Sequence, residues 1–236
     1  MSLIDSVRVL GAMARITAPT LVDAARGSLM RSAIDERARW FGRRVVELLD
    51  IQLAASGAEH VPSRAVVYMS NHQSHLDIPV LYATLPSPTI RMLAKAELFR
   101  IPLWGRGLRA AEFIEVDRSH HTRAVQSIEH AARLLRDGVS IYLAPEGTRS
   151  RDGRIGKLKK GGFHLALGTG APIVPVAIRG TIHILPRGGK VMRSGQPVSV
   201  QIGTPIDVAG RDMSDLMAQV SEFLVNNVEN VTALRG

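Results

Sequence analysis

From residue 62 onward, short apolar runs alternate with segments of helical periodicity, and this alternation restricts the fold more than any other feature. It is typical of an α/β domain, in which strands of a mostly parallel sheet are joined by helices. We expect a mixed, mostly parallel central sheet flanked by helices. The predicted strands are residues 65–69, 90–93, 112–116, 140–144, 173–178 and 198–202.

In the segments between these predicted strands, apolar residues recur at the spacing of a helix. Val125, Ile128 and Leu135 follow one another at intervals that place them on one helix face, and Gly138 supplies the left-handed residue that suits a helix end. Residues 216–228 predict a final amphipathic helix. No repeat or linker interrupts the pattern, so residues 51–236 are expected to form one domain.

Residues 1–50, here called the N-terminal arm, predict two helices. In the first, residues 2–26, all charged side chains fall in a narrow strip, and Pro19 is expected to bend or divide the helix. The second, residues 28–50, places several arginines around Trp40 and Phe41. Two interpretations stay open: the arm covers the domain as ordinary amphipathic helices, or it lies in the interface of an anionic membrane.

Composition excludes several classes of protein. The chain has no cysteine, so a disulfide scaffold, a thiolate metal site and a cysteine nucleophile are ruled out. A net charge of +9 favours anionic partners. Aromatic residues make up only 4% and no zinc-finger, RRM or KH signature is found, so no nucleic-acid partner is expected. The apolar runs are too short or too charged for a membrane span.

The stretch NHQSHLD, residues 71–77, carries candidate chemistry at the end of an apolar run. His72 and Asp77 are five residues apart and would not share a helix face, but they can meet at a strand-to-helix turn. There the aspartate can hold one ring N–H while the other nitrogen accepts a proton from a hydroxyl. Two other interpretations remain: a metal site that adds His75, and a histidine that only caps a helix.

A second polar stretch, APEGTRS at residues 144–150, follows another predicted strand. Between Gly147 and Lys160 the chain carries six cations and a single acid, Asp152. Clustered guanidinium and ammonium groups beside a glycine-containing turn indicate a phosphate site, to which a helix beginning at residues 161–162 can add free N–H groups. A solvated loop is the alternative. Lys95 and Arg118 also follow predicted strands, with apolar residues between them.

Four blocks in this order resemble the glycerolipid acyltransferase family, in particular the bacterial 1-acyl-sn-glycerol-3-phosphate acyltransferases. NHQSHLD is similar to the family's histidine-four-residues-aspartate motif, and KAEL to FIEVDR (residues 95–118) is similar to the second block. PEGTRS and IVPVAI, with Pro175, are similar to the third and fourth. The resemblance covers about residues 62–180, and the ordered set is far more specific than any one block.

The resemblance implies transfer of an acyl group from acyl-CoA or acyl carrier protein to the sn-2 hydroxyl of 1-acyl-sn-glycerol 3-phosphate, giving phosphatidic acid. It implies His72 as general base and Asp77 as its orienting partner. A thioester is already activated, so no cofactor and no metal are expected. The implied phosphate and glycerol site comprises Lys95, Arg118, Glu146, Gly147, Thr148 and Arg149, with Lys159 and Lys160 as further anion contacts.

Family members associate with membranes, which favours the arm as an interfacial anchor. The expected location is therefore peripheral or monotopic, on the cytoplasmic face of the cell membrane. Three alternatives remain: the same chemistry on another lysolipid or lipid precursor, a non-catalytic protein that binds anionic lipid or nucleic acid, and a metal-dependent hydrolase. The role of Glu146 stays open between a bond to a glycerol hydroxyl and orientation of Arg149.

Overall fold

A computed structural model describes residues 3–117 and 121–229 of the chain. Seven strands form one sheet in the order β1-β7-β6-β2-β5-β3-β4, packed between helices. The strands are β1 (Gln52–Ser56), β2 (Val67–Ser70), β3 (Ile90–Lys95), β4 (Ile114–Val116), β5 (Ser140–Leu143), β6 (Ile173–Arg179) and β7 (Pro197–Ile202). The helices are α1 (Leu3–Ala25), α2 (Arg31–Leu48), α3 (Asp77–Thr84), α4 (Ala96–Phe99), α5 (Trp104–Ala110), α6 (His121–Arg136), α7 (Gly161–Thr169), α8 (Thr181–Ile184) and α9 (Met213–Val228).

The expected α/β class with a mostly parallel sheet is confirmed. Neighbouring strands from β6 through β2, β5 and β3 to β4 run parallel, while β7 pairs with β6 in the antiparallel sense. All six predicted strands are present, with ends shifted by up to two residues. Strand β1, which pairs in parallel with β7 at the sheet edge, was not predicted from the sequence. Its side chains are mostly exposed, so the strand lacks the apolar pattern that reveals buried ones.

Side chains alternate across the central strands and build a core on each face of the sheet. In β2, Tyr68 packs into a core shared with α1, α2 and α3, whereas Val67 and Met69 pack into a core shared with α6, α7 and α9. All three are fully buried. Because both faces of the sheet are covered, the carboxyl ends of its strands are where polar groups can gather around a cavity.

The N-terminal arm packs closely on the domain through α2. A Cβ at Gly42 would lie 2.6 Å from the carbonyl oxygen of Pro79 in α3, so the two helices touch backbone to backbone. Arg91 of β3 is fully buried and donates from Nη1 to Asp35 Oδ1 of α2 at 2.5 Å. Thr89 donates to the other oxygen of Asp35 at 2.7 Å. An ion pair inside the protein therefore joins this helix to the sheet.

The first helix, α1, runs as one helix through Pro19, so the proline does not divide it. The other expectation, that Pro19 bends the helix, stays a prediction. The helix turns Val9 and Ala12 toward the core but leaves Ile4, Val7 and Leu10 about 60% exposed. These three side chains are spaced as on one face of a helix. None of the described helices is both long enough and apolar enough to cross a bilayer.

Candidate active site

Four neighbouring parallel strands end at one edge of the sheet and carry the polar residues of the site. His72 follows β2, the PEGTR segment follows β5, Lys95 is the last residue of β3, and Thr181 follows β6. Asn71 fixes the end of β2 against β6, since its side chain both accepts from Ile178 N and donates to Ile178 O at 2.8 Å. The fold thus brings together segments that lie far apart in the sequence.

His72 and Asp77 meet at the turn between β2 and α3. His72 Nδ1 lies 2.7 Å from Asp77 Oδ2, which also accepts the backbone N–H groups of Gln73 at 2.8 Å and Ser74 at 3.0 Å. An oxygen that already accepts two N–H donors acts as an acceptor for the ring as well, so Nδ1 carries the hydrogen and Nε2 is left as an acceptor. The imidazole is therefore oriented to take a proton.

Thr181 completes the surroundings of Asp77. Both side chains are fully buried, and Thr181 Oγ1 donates to Asp77 Oδ1 at 2.5 Å. Gly180 makes this approach possible: it has a φ of 96°, and a Cβ there would lie 2.1 Å from Pro197 O. No sequence pattern indicated Thr181, because it lies outside the four blocks and 104 residues from Asp77.

Glu146 holds backbone in place. Its Oε1 accepts the N–H of His72 at 2.8 Å and its Oε2 accepts the N–H of Gly156 at 2.7 Å. Burial raises the pKa of this carboxyl above its ordinary value, although both hydrogen bonds act in the opposite direction. The carboxylate thus ties the turn that carries His72 to the loop after β5. A contact of Glu146 with a glycerol hydroxyl, or an orienting contact with Arg149, stays a prediction.

A cavity of about 920 Å³ opens beside His72. Its floor and walls are largely apolar, and cations line part of its rim. Such a combination suits a molecule with a hydrocarbon chain and an anionic head. The apolar lining includes Ile78, Met92, Leu98, Trp104, Leu108 and Phe113, and the polar lining includes Lys95, Thr148, Arg149, Lys159 and Arg187.

Arg149 and Arg187 form the cationic side of this cavity. Arg187 Nη1 donates to the backbone carbonyl of Arg149 at 3.1 Å, which keeps the two residues adjacent. Partial burial and then the charge of Arg187 lower the pKa of Arg149. Adjacent guanidinium groups repel each other, so a bound phosphate would relieve an unfavourable interaction. Arg187 was missed by the sequence reasoning because it is an isolated arginine in an irregular segment.

The other predicted site residues divide into three groups. Lys95, Gly147, Thr148 and Lys159 lie on the wall of the large cavity with His72. Lys160 is exposed just before α7 and is part of neither described cavity. Arg118 lies outside the described residues, so its place in the site stays a prediction.

His75 also faces the large cavity. Burial, followed by the positive charge of Arg149, lowers its pKa below the ordinary value for histidine. Within the described ranges, no group of three or more histidine or carboxylate side chains is arranged to hold a metal ion.

Comparison with known proteins agrees with this geometry. A family model described as Acyltransferase matches residues 52–179, which is more than half of the chain. The chain belongs to the Acyltransferase family. The matched region of this acyltransferase contains both His72 with Asp77 and the PEGTR segment. The matched region ends directly before Gly180 and Thr181. Thr181, which donates a hydrogen bond to Asp77, therefore lies just outside it.

Several relatives of this acyltransferase carry the name 1-acyl-sn-glycerol-3-phosphate acyltransferase. The protein of Limnanthes douglasii is 35% identical over 191 residues, which cover 79% of this chain and 67% of that one. The protein of Borreliella burgdorferi is 30% identical over 188 residues, covering 78% and 74%. The chain spans only 44% of the chloroplastic relative from Brassica napus, which is 36% identical over 152 residues or 64% of this chain.

A solved structure matches nearly the whole chain. It is the crystal structure of PlsC, the 1-acyl-sn-glycerophosphate (LPA) acyltransferase of Thermotoga maritima, with a TM-score of 0.81 and 28% sequence identity. The match covers 98% of this chain and 97% of that one, so it includes the two N-terminal helices. The arrangement of arm and sheet is thus shared with that enzyme.

Proposed function

We propose that this acyltransferase moves an acyl group from a thioester to the sn-2 hydroxyl of 1-acyl-sn-glycerol 3-phosphate, producing phosphatidic acid. The observation that carries the proposal is the His72–Asp77 pair, at 2.7 Å, on the wall of a largely apolar cavity rimmed by cations. The relatives' names and the near-complete match to a solved enzyme of that activity support the choice of acceptor.

The chemistry needs one proton acceptor. His72 Nε2 removes the proton from the acceptor hydroxyl as its oxygen attacks the thioester carbonyl carbon. The tetrahedral intermediate then collapses, the carbon–sulfur bond breaks, and the proton on Nε2 passes to the departing thiolate. Asp77 keeps its position beside Nδ1 throughout and stabilises the imidazolium that forms in between.

The cationic rim accounts for the anionic head of the acceptor. Arg149 and Arg187 are adjacent on the wall that also contains Thr148 and Lys159, and Lys95 contributes from β3. We assign the acceptor phosphate to the two arginines because paired guanidinium groups bind phosphate through parallel, charge-assisted hydrogen bonds. Glu146 acts as a positioning residue, through the backbone of His72.

The direct test is release of free thiol from palmitoyl-CoA by the purified protein, with and without 1-oleoyl-sn-glycerol 3-phosphate, and again with palmitoyl-acyl carrier protein as donor. We expect release that depends on the acceptor, together with phosphatidic acid detected by mass spectrometry. Thiol release that is independent of acceptor would indicate a thioesterase. Absence of release with both donors would contradict the proposed reaction.

Thr181 provides a prediction that tests the hydrogen-bonded base. In Thr181→Val the side chain keeps its size but Asp77 Oδ1 loses its donor. We expect kcat to fall roughly tenfold, since a lost hydrogen bond to a buried charge costs on the order of 1–3 kcal/mol, while KM for the acceptor stays within about twofold. Thr181→Ser retains the hydroxyl and should keep kcat close to that of the wild type. Equal losses in both variants would contradict the assigned role.

We further propose that the protein lies at the membrane surface, on its cytoplasmic face, with α1 in the interface. Ile4, Val7 and Leu10 each expose about 60% of their surface on one side of this helix, and Leu103 exposes 63% next to Trp104 of the large cavity. Exposed apolar side chains in a row mark an interaction surface, and the net charge of +9 favours anionic lipid as its partner. An acceptor that resides in a bilayer makes this position useful.

A charge placed on this surface should weaken membrane binding. For the double variant Val7→Glu and Leu10→Glu, we expect affinity for vesicles of phosphatidylglycerol and phosphatidylethanolamine to fall roughly tenfold or more, because two apolar side chains no longer enter the lipid. Co-sedimentation measures the effect. The matched control is Val125→Glu with Met30→Glu, which adds the same two negative charges at exposed apolar side chains outside α1. If the control loses as much binding as the double variant, the surface on α1 is not the anchor.

A further inference from the structure

A second, smaller cavity lies beside the one that contains His72. Its volume is about 480 Å³, and the two cavities share Thr148, Arg149, Lys159 and Arg187 in their common wall. Arg151, Arg154 and Lys157 line the smaller cavity only. The acceptor site assigned above makes no use of these three cations.

The three cations are exposed side chains, of which Arg154 interacts electrostatically with Asp152 and lowers the pKa of that carboxyl. None of them forms an ion pair with a carboxylate within the described part of the chain. Two carboxylates also line the cavity, but Glu146 is occupied by backbone N–H groups. Asp152 Oδ1 accepts from Ser150 Oγ and from the backbone N–H of Arg154, both at 3.1 Å. The guanidinium and ammonium groups thus remain available to an anion.

The number of cations exceeds what the acceptor requires. Its single phosphate carries at most about two negative charges, and the large cavity already offers Arg149 and Arg187 to it. Arg151, Arg154 and Lys157 add three exposed positive charges beside those arginines, and a second anion bound there would reduce their mutual repulsion. The reaction has a second substrate, the acyl donor, and the nucleotide part of CoA carries a diphosphate and a 3′-phosphate.

The loop that carries these cations is fixed to the catalytic turn. Ser150 N donates to His72 O at 2.7 Å, and Ile155 N donates to Glu229 Oε1, next to the end of α9, at 2.6 Å. The smaller cavity is therefore next to the turn that carries His72, although His72 itself lines the larger cavity and not the smaller one. Acyl-CoA fits this arrangement, because its phosphates and its thioester lie at opposite ends of the pantetheine arm. The phosphates could occupy the smaller cavity while the thioester lies beside His72. The small volume and cationic lining of this cavity suit a small polyphosphate better than the broad surface of a bilayer or an acidic protein.

We propose that the smaller cavity binds the phosphate groups of the CoA nucleotide, with Arg151, Arg154 and Lys157 as their ligands. This inference rests on the acyl transfer proposed above. It gives the two cavities separate tasks: the large one holds the reacting groups with the acceptor head, and the small one holds the remote end of the donor.

The test uses a triple variant, Arg151→Gln with Arg154→Gln and Lys157→Gln. Its control, Arg133→Gln with Arg136→Gln and Lys190→Gln, removes the same charge from exposed positions that line neither cavity. We expect the triple variant to raise KM for palmitoyl-CoA about tenfold and to leave KM for the lysophosphatidate within about twofold. Affinity for adenosine 3′,5′-bisphosphate, measured by calorimetry, should fall by a similar factor.

Several results would overturn the assignment. The first two concern affinity for adenosine 3′,5′-bisphosphate: it is unchanged in the triple variant, or it falls equally in the control. The other two concern KM in the triple variant: it rises equally for both substrates, or it rises for acyl carrier protein alone. Loss of vesicle binding without a change in nucleotide affinity would identify a lipid site instead. Calorimetry needs no turnover, so nucleotide binding can be decided even if the wild type proves unable to transfer an acyl group.

Discussion

Replacing His72 by alanine is expected to remove acyl transfer almost completely. Without the imidazole nothing accepts the hydroxyl proton, and general-base catalysis of this kind contributes roughly 10²- to 10⁴-fold to a rate. We therefore expect kcat in the acceptor-dependent thiol-release assay to fall by about three orders of magnitude, with KM for both substrates little changed. The fold should be retained, because the side chain is partly exposed, at 22%, and among the described residues it is hydrogen-bonded only to Asp77.

The control for this variant is His164→Ala, which removes an exposed histidine of α7. Its activity should equal that of the wild type. Unfolding by urea, followed by circular dichroism, separates loss of the base from loss of the fold. A His72→Ala protein that remains folded and transfers acyl groups at more than about a tenth of the wild-type rate would refute the assigned base.

Replacing Asp35 by alanine is expected to lower the stability of the folded protein, because Asp35 joins the N-terminal arm to the sheet through Arg91. In Asp35→Ala, the fully buried Arg91 keeps Glu112, at 3.3 Å, as its one ionic partner in the part of the chain that the structure describes. Thr89 Oγ1 also loses its acceptor. Removing one partner of a buried ion pair leaves a charge that water cannot reach, and we expect the free energy of unfolding to decrease by about 3 kcal/mol. Urea unfolding at neutral pH measures it.

Glu47→Ala is the matched control, since it also removes a carboxylate of α2 that is paired with an arginine. The Arg44–Glu47 pair is exposed, so its loss should cost less than about 1 kcal/mol. Similar losses in the two variants would mean that Arg91 reaches solvent when Asp35 is gone.

The same ion pair decides how membrane binding can be studied. Deleting residues 1–50 would remove Asp35 and the buried face of α2, which includes Val45 and Phe41. Such a deletion is expected to unfold the domain, so weaker vesicle binding would not identify the arm as the anchor. Charge substitutions at Val7 and Leu10 avoid this difficulty, because both side chains are exposed.

The sequence alone determined the α/β class and placed His72 and Asp77 in one strand-to-helix turn, where the two side chains can meet. The strands in the middle of the sheet are buried on both faces, so their apolar runs stand out from the helical spacing around them. His72 and Asp77 are five residues apart within one turn, and local backbone geometry is enough to bring the two side chains together. The order of the four blocks then indicated the family.

The tertiary structure alone decided which distant residues complete the site and how the arm is oriented. Thr181 and Arg187 reach the site only because β6 lies beside β2 in the sheet, and no short-range pattern encodes that neighbourhood. The partners of Glu146 depend on two loops that meet at the ends of β2 and β5. The helical wheel of α1 gave the periodicity of its charges but not which side faces the domain. That choice depends on the surface offered by α2 and α5, and it leaves Ile4, Val7 and Leu10 facing outward.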